Sequence, residues 1–305
     1  QTAFWINVPV GLALALMAIR VVPDVRHNID APRPDLLGGV VFAVAVGALV
    51  LGLVQGNDWG WASGRVIGAW VVAAAGLGVF AWMITHHRAP VIDPKLLRVA
   101  SFSWAGIAQL IFNVGFGIGL LSRILWMQEH WGYSAIRTGL AVALGPALVP
   151  VTSLLVNRLF PRAAPGRVIA LGCVVYACSG TLQALVTGEE PAYLREMLGP
   201  WILSGIAVGM VLPQLTAAGT AALPSHQTST GSGVVNMARQ VGMVLGTSIM
   251  VGLLGNGLPS LARFQHVWVF MACASLVAAA AALVMERVRR RAAATPEGVS
   301  SRVPA

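Results

Sequence analysis

Charge is what this sequence has least of. Only 10% of its 305 residues are Asp, Glu, Lys or Arg, whereas soluble domains carry roughly 25%. Because 57% of the residues are hydrophobic and the mean hydropathy is +0.76, one aqueous core could not bury so much apolar surface. The composition excludes an ordinary soluble domain and predicts an integral membrane protein.

Cysteine is also scarce. The three cysteines, Cys173, Cys178 and Cys273, lie in apolar runs and show neither CxxC nor CxxH spacing. The spacing therefore indicates neither a zinc site nor a disulfide framework. We expect buried free thiols and no metal or cofactor.

Long polar connections are missing as well. Every segment between apolar runs has fewer than 20 residues, too short for a catalytic domain. A membrane-embedded enzyme would need carboxylates or histidines arranged for acid–base or metal chemistry. The acidic residues near the predicted membrane boundaries form no spaced motif; they are Asp58, Glu129, Glu189, Glu190 and Glu196. We therefore predict that the protein is not an enzyme.

The apolar residues fall into stretches of membrane-spanning length. A spanning helix needs about 20 mostly apolar residues. Nine stretches qualify, at approximately 3–22, 36–56, 66–85, 102–125, 138–157, 168–187, 199–222, 231–254 and 265–285. They predict an all-α polytopic fold with about nine transmembrane helices.

The basic residues give this fold an orientation. If the first span runs from outside to inside, 14 of the 20 basic residues fall in cytoplasmic segments and five lie outside. The positive-inside rule then places the first residue outside and the C-terminus in the cytoplasm of a multi-pass cell-membrane protein. The net charge of +9 is explained in this way, without a nucleic-acid partner. Six tryptophans fall near the predicted outer boundary, where we expect them to form an aromatic belt, namely Trp59, Trp61, Trp126, Trp131, Trp201 and Trp268.

Several stretches resemble one family, in order and at matching spacing along almost the whole chain. They are "FWINVPVGLAL" (4–14), "DLLGG" (35–39), "GNDWGW" (56–61), "PVIDPKLLRVASF" (90–102), "LWMQEHWGYSAIRTGLAVALGPA" (125–147) and "GSGVVNMARQVGMVLGTS" (231–248). The chain thus resembles helices six to fourteen of the fourteen-span drug:proton antiporters of the major facilitator superfamily.

The resemblance implies a division of the chain. Residues 1–22 would be the last helix of a missing N-terminal bundle, and 23–101 would hold two linker transmembrane helices and cytoplasmic loops. Residues 102–286 would form a complete C-terminal six-helix bundle. The composition of 287–305, rich in Arg and then in Ala, Pro and Ser, separately predicts a disordered basic tail. The missing N-terminal bundle, the lipid bilayer and a small amphiphilic, often cationic substrate are the expected partners.

One motif departs from the family pattern. "LVNRLFPR" (155–162) resembles the second copy of the family's cytoplasmic gate motif. Arg158 and Arg162 are present, but Asn157 stands where the family usually has an acidic residue. The sequence therefore does not predict an Asp–Arg gate pair at this position.

Arg239 is the cation that lies deepest in a predicted span. An ionisable residue there is costly and is a functional hypothesis by default. Helical spacing puts Asn236 and Arg239 on one face, with Gln240 at its edge. The hypothesis is a transport path or cytoplasmic gate, and the alternative is a structural arginine bonded to carbonyl groups of a neighbouring helix. On an adjacent face, Gly242 and Gly246 predict close helix packing.

Three other polar residues are candidates for the substrate path. Gln109 and Asn113 lie one turn apart in the fourth span, with interhelical polar contacts as the alternative. Gln214 follows Pro213, which predicts a kink that faces the interior. We interpret Arg123 as a boundary residue that extends towards the membrane surface.

The sequence therefore predicts a fragment of a proton-coupled multidrug or antibiotic efflux transporter that works by alternating access. None of the eleven acidic residues lies in mid-span, so we expect the proton carrier in the missing part and no transport by this chain alone. The alternatives are a carrier of the same fold that exports a metabolite or imports a nutrient, and an inactive truncated remnant.

Overall fold

The structure is a computed structural model that describes residues 7–21, 35–87, 90–221, 223–224, 227–256 and 260–294. Within these ranges the chain forms α-helices and no strand. The helices are α1 Asn7–Val21, α2 Leu36–Trp59, α3 Gly64–His86, α4 Pro94–Arg98, α5 Ala100–Leu125, α6 Ala135–Leu159, α7 Pro165–Val186, α8 Leu198–Thr220, α9 Thr228–Leu254 and α10 Leu261–Ala294. A π-helical turn, Trp126–His130, continues α5, and another, Tyr193–Met197, precedes α8.

Eight of the described helices are long and apolar enough to cross a membrane. They are α2, α3 and α5 to α10, and they confirm the prediction of an all-helical, multi-pass membrane protein. The stretch predicted at 3–22 is represented by α1, which has 15 residues. This helix belongs to a compact unit of its own, whereas the chain from Asp35 onward forms a second unit.

In the second unit, α5 has the central position. It packs against α9 and α10 and also contacts α8. Around it, α7 packs on α10 and α8, and α6 packs on α8. The antiparallel pair α2 and α3 is attached through contacts of α2 with α9. Helices α5 to α10 thus form the bundle that holds the candidate site.

Close contact between α5 and α9 depends on glycine. A Cβ atom built on Gly242 would lie 2.3 Å from the carbonyl oxygen of Leu110, and one on Gly246 would lie 2.1 Å from that of Val114. From the other side, a Cβ on Gly117 would lie 2.5 Å from the carbonyl oxygen of Met243. The two backbones touch along this seam, as expected where small residues recur every four positions.

Four of the six tryptophans predicted at the outer boundary lie in the interior instead. Trp126 and Trp268 are fully buried, and their rings meet edge to face at a centroid distance of 6.0 Å. The indole Nε1 of Trp268 donates to Ser122 Oγ at 3.0 Å, which ties α10 to α5. Trp131 and Trp201 are buried too. The belt interpretation was wrong for these four because depth along a helix does not determine which face points inward.

Two cysteine predictions were also wrong. Cys173 is buried, but Cys178 on α7 and Cys273 on α10 are exposed on the outer faces of their helices. In a membrane, apolar residues can face outward, since lipid tails are as apolar as leucine. An apolar neighbourhood in the sequence therefore does not imply burial within the protein.

The predicted boundary of the basic tail was placed too early. Helix α10 continues through Arg287, Arg289, Arg290 and Arg291 and ends at Ala294. Glu286 forms ion pairs with Arg289 and Arg290, three and four residues later, and such spacings stabilise a helix. The predicted disorder of residues 295–305 lies outside the described residues.

Candidate functional site

Arg123 lies in the interior of the bundle with no exposed surface. The π-helical turn Trp126–His130 continues the helix beyond it. Its Nε donates to Gln183 Oε1 at 3.2 Å, its Nη2 to Ser179 Oγ at 2.8 Å, and its Nη1 to the carbonyl oxygen of Gly119 at 3.2 Å. The prediction that Arg123 extends towards the membrane surface was therefore wrong, because its guanidinium is bonded inside the bundle.

Helix α7 supplies two of these acceptors from one face, because Ser179 and Gln183 are one turn apart. Each of them is bonded further. Ser179 Oγ donates to the carbonyl oxygen of Pro200 on α8 at 2.8 Å, and the Gln183 amide nitrogen donates to the hydroxyl of Thr187. The network joins α5, α7 and α8 through neutral acceptors, and no carboxylate pairs with Arg123 in the part of the chain that the structure describes.

Trp201 on α8 also stabilises the buried guanidinium. Arg123 Cζ lies 5.1 Å from the centroid of its ring, within the range of a cation–π interaction. The indole Nε1 donates to the carbonyl oxygen of Val142 on α6 at 3.1 Å. A Cβ on Gly145 would lie 2.6 Å from the indole ring. The ring is thus fixed between α6 and the arginine.

A cavity of about 290 Å³ opens beside Trp201, between α5, α6 and α8. Apolar side chains form most of its wall, and Ser204 is the polar side chain among the described lining residues. Ser204 itself is buried. The lining residues are Phe116, Leu120, Gly145, Pro146, Val149, Pro150, Trp201, Ser204, Gly205, Val208 and Leu212. An apolar pocket with few polar groups is typical of a small-molecule site.

Nearer the predicted cytoplasmic end, two predicted site residues are in contact. Gln214 Nε2 on α8 donates to Asn157 Oδ1 on α6 at 2.9 Å, in an exposed position. Pro213 lies within α8, which continues to Thr220. Asn157, which stands where the family's gate motif usually has an acidic residue, is therefore bonded to a neutral amide. Arg158 and Arg162 are exposed and have no hydrogen bond or ion pair with the described residues.

Gln109 and Asn113 lie in the interior of the bundle and are not among the residues that line the cavity beside Trp201. They are almost fully buried, and a Cβ on Gly242 would lie 3.0 Å from Asn113 Cβ. Asn113 Nδ2 donates to the Gln109 carbonyl oxygen at 2.7 Å. Gln109 Oε1 and Asn113 Oδ1 have no partner among the described residues. Their place in a substrate path stays a prediction.

The polar face of α9 points out of the bundle. Asn236, Arg239 and Gln240 are exposed. Arg239 is the twelfth of 27 helical residues, roughly 17 Å from the start of α9 at 1.5 Å per residue. It makes no hydrogen bond or ion pair within the described ranges. Its role in transport or gating also stays a prediction.

A second cavity, of about 590 Å³, lies where α2 and α3 meet α5 and α9. Its wall is apolar apart from Ser103, and no charged side chain reaches it from the described residues. It is large enough for a small molecule, but its described wall has almost no polar group that could orient one.

Sequence reasoning missed Arg123, Ser179, Gln183 and Trp201 as a group. One local signal could have indicated it, because Ser179 and Gln183 form a polar pair at i, i+4 spacing in an otherwise apolar span. Such a pair requires a polar partner on a neighbouring helix. Which helix supplies that partner depends on the tertiary fold.

No protein-family model matches the chain. It is 29% identical over 262 residues to the cephamycin export protein CmcT of Amycolatopsis lactamdurans, covering 84% of this chain and 53% of that protein. It is 30% identical over 256 residues to the multidrug resistance protein Stp of Mycobacterium tuberculosis, covering 83% and 47%. It is 26% identical over 257 residues to the multidrug export protein EmrB of Escherichia coli, covering 83% and 49%.

The chain spans about half the length of these curated relatives. They are drug and antibiotic efflux proteins of the major facilitator type, so the resemblance predicted from the sequence is confirmed. The relatives are transporters and not enzymes.

Proposed function

We propose that the chain forms the C-terminal bundle and linker helices of a proton-coupled drug or antibiotic exporter that works by alternating access. The observation that carries the proposal is the cavity between α5, α6 and α8, with Trp201 in its wall and Arg123 behind that ring. It lies between three helices of membrane-spanning length and combines apolar walls with a rigid aromatic surface. The names of the relatives support export as the direction of transport.

The wall of the cavity suits an amphiphilic molecule that contains an aromatic group. Trp201 offers a flat ring held by its bond to Val142, and a substrate ring could stack against it. Ser204 is the one polar side chain among the described residues of the wall. The buried charge of Arg123 disfavours a cation here, because electrostatic repulsion is weakly screened in a membrane interior. We therefore replace the expectation of often cationic substrates with neutral or anionic amphiphiles for this cavity.

Alternating access requires contacts that form in one state and break in another. The exposed bond between Gln214 and Asn157 joins the ends of α6 and α8, and we assign it this role. Nearby Arg158 and Arg162 would meet the other bundle. The coupling proton is also part of the proposal, with its carrier outside these 305 residues, so the chain alone is not expected to transport.

The test measures efflux from cells that express the coding sequence containing this chain. The substrates share one aromatic scaffold that carries an amine, an amide or a carboxylate. We expect Trp201→Ala to reduce efflux of the amide and carboxylate forms about tenfold, and Trp201→Phe to keep most of it. Trp82→Ala removes an exposed indole from α3 and serves as the matched control. Undiminished efflux in Trp201→Ala would exclude the cavity as a substrate site, and preference for the amine would contradict the charge assignment.

A further inference from the structure

Arginines surround a small cavity at the end of the bundle where α7 begins and α10 ends. The cavity measures about 280 Å³ and is lined by Arg167, Leu283, Glu286, Arg287 and Arg290. Neither the cavity beside Trp201 nor the proposed export function uses these residues. Their arrangement indicates that this cavity binds a separate ligand.

Glu286 makes this end rigid. It is buried, and its Oε2 accepts the backbone N–H of Gly166 at 3.3 Å, in the first turn of α7. A Cβ on Gly166 would lie 2.5 Å from Glu286 Cβ and 2.8 Å from the carbonyl oxygen of Ala282. The backbone of α7 therefore lies directly against α10, and the cavity has fixed walls.

The acceptor capacity of Glu286 is already used. Arg289 donates to both carboxylate oxygens at 3.1 and 3.2 Å, and Arg290 Nε donates to Oε1 at 2.8 Å. Arg167 and Arg287 make no hydrogen bond or ion pair with the described residues. One carboxylate thus stands among several guanidinium groups, and the cavity has an excess of positive charge that a bound anion would balance.

Apolar surface extends from this charged end along both helices. On α7, Arg167 shares its outer face with Leu171 and Val174, at spacings of four and three residues. On α10, Arg287 shares its outer face with Leu283 and Leu276, at spacings of four and seven. The four apolar side chains are 40–57% exposed.

The two helices run antiparallel in direct contact. Gly166 meets Glu286 at one end, whereas Gly180 meets Trp268 and Ala272 further along. Both apolar faces therefore lead away from the same arginines. This is the shape of a phospholipid, with a charged head at the membrane surface and acyl chains beside the helices.

We propose that this groove binds a phospholipid with an anionic head group, held by Arg167 and Arg287 around the phosphate. Arg290, positioned by Glu286, forms the third side of the head-group pocket. The acyl chains lie on Leu283, Leu276 and Leu171. Basic pockets between transmembrane helices bind anionic head groups by the same electrostatics, and guanidinium groups suit the two oxygens of a phosphate.

The test titrates the purified chain, in uncharged detergent, with fluorescent phosphatidylglycerol and measures Kd by anisotropy. Each arginine near an anionic surface contributes about a fivefold effect, so Arg167→Gln with Arg287→Gln should weaken binding about 25-fold. Lys95→Gln with Arg98→Gln removes two exposed cations from α4 and should leave Kd unchanged. Phosphatidylcholine should bind at least tenfold more weakly than phosphatidylglycerol.

Three outcomes would overturn the proposal. They are equal binding of the two lipids, equal losses in the two double variants, and full displacement of the lipid by inorganic phosphate at equal concentration. Melting curves check that the variants fold. If the double variant fails that check, Arg167→Gln alone decides, with a fivefold loss expected and no loss contradicting the site.

Discussion

Gln214 Nε2 donates a hydrogen bond to Asn157 Oδ1 at 2.9 Å, between α8 and α6. Both residues were singled out from the sequence, for separate reasons, and the fold brings them together. A neutral pair of this kind breaks more easily than an Asp–Arg pair, because charge-assisted hydrogen bonds are roughly twice as strong. This property suits the role proposed for the contact, which is to open and close during transport.

Removing either partner of this pair should change transport by the same amount. Asn157→Ala and Gln214→Ala each lose the one bond, worth roughly 0.5–1.5 kcal/mol, and the double variant should lose no more than either single one. The measurement is a double-mutant cycle on the efflux rate. Additive losses would show that the two residues act separately.

Gln183 should matter for stability, because it accepts from the buried guanidinium of Arg123. Gln183→Leu leaves one buried donor of Arg123 without a partner, and such a loss costs about 1–3 kcal/mol. Gln240→Leu makes the same chemical change at an exposed position and should have little effect. Thermal unfolding in detergent compares the two, and equal melting temperatures would contradict the role of the network.

Gly246 should not tolerate a side chain. In Gly246→Ala the new methyl group meets the carbonyl oxygen of Val114 at 2.1 Å, so α5 and α9 must separate, at a cost of roughly 1–3 kcal/mol. Gly233 in the same helix has open space around it, and Gly233→Ala should be neutral or slightly stabilising because alanine favours a helix. A lower melting temperature for both variants would indicate that the loss does not come from the seam.

Arg239 should affect transport without affecting stability, since it has no partner among the described residues. We expect Arg239→Ala and Arg239→Lys to abolish efflux while membrane levels stay normal, because lysine keeps the charge but loses the planar guanidinium. Arg98→Ala removes an exposed arginine from α4 as a control. Efflux and membrane abundance are measured together, and normal efflux in both Arg239 variants would exclude the gating hypothesis.

Local geometry made part of this architecture predictable. The spans could be found because bilayer thickness sets their length, and the Gly242–Gly246 spacing defined one helix face. The Arg123 network could not be found in this way. Its acceptors lie 56 and 60 residues further along the chain, and they reach Arg123 only because the folded bundle brings parts of α5, α7 and α8 together.

The tryptophans give a second example of a feature that depends on the tertiary fold. The sequence predicts that they lie near one membrane surface, but depth does not distinguish an anchor in the head groups from a ring inside the bundle. Trp201 is inside because its indole N–H bonds to a carbonyl group of α6 and its ring contacts the guanidinium of Arg123. Which face of a helix points into the bundle depends on the helices that pack around it, and these are set by the tertiary fold.

Two of the three cysteines offer natural attachment sites for spin labels. Cys173 is shielded, while Cys178 and Cys273 are exposed on the outer faces of two adjacent helices. A nitroxide attached to either one would report its immersion depth by its relaxation with oxygen and with a water-soluble nickel complex. The depths of α7 and α10 in a bilayer at these two positions could then be measured without introducing a new thiol.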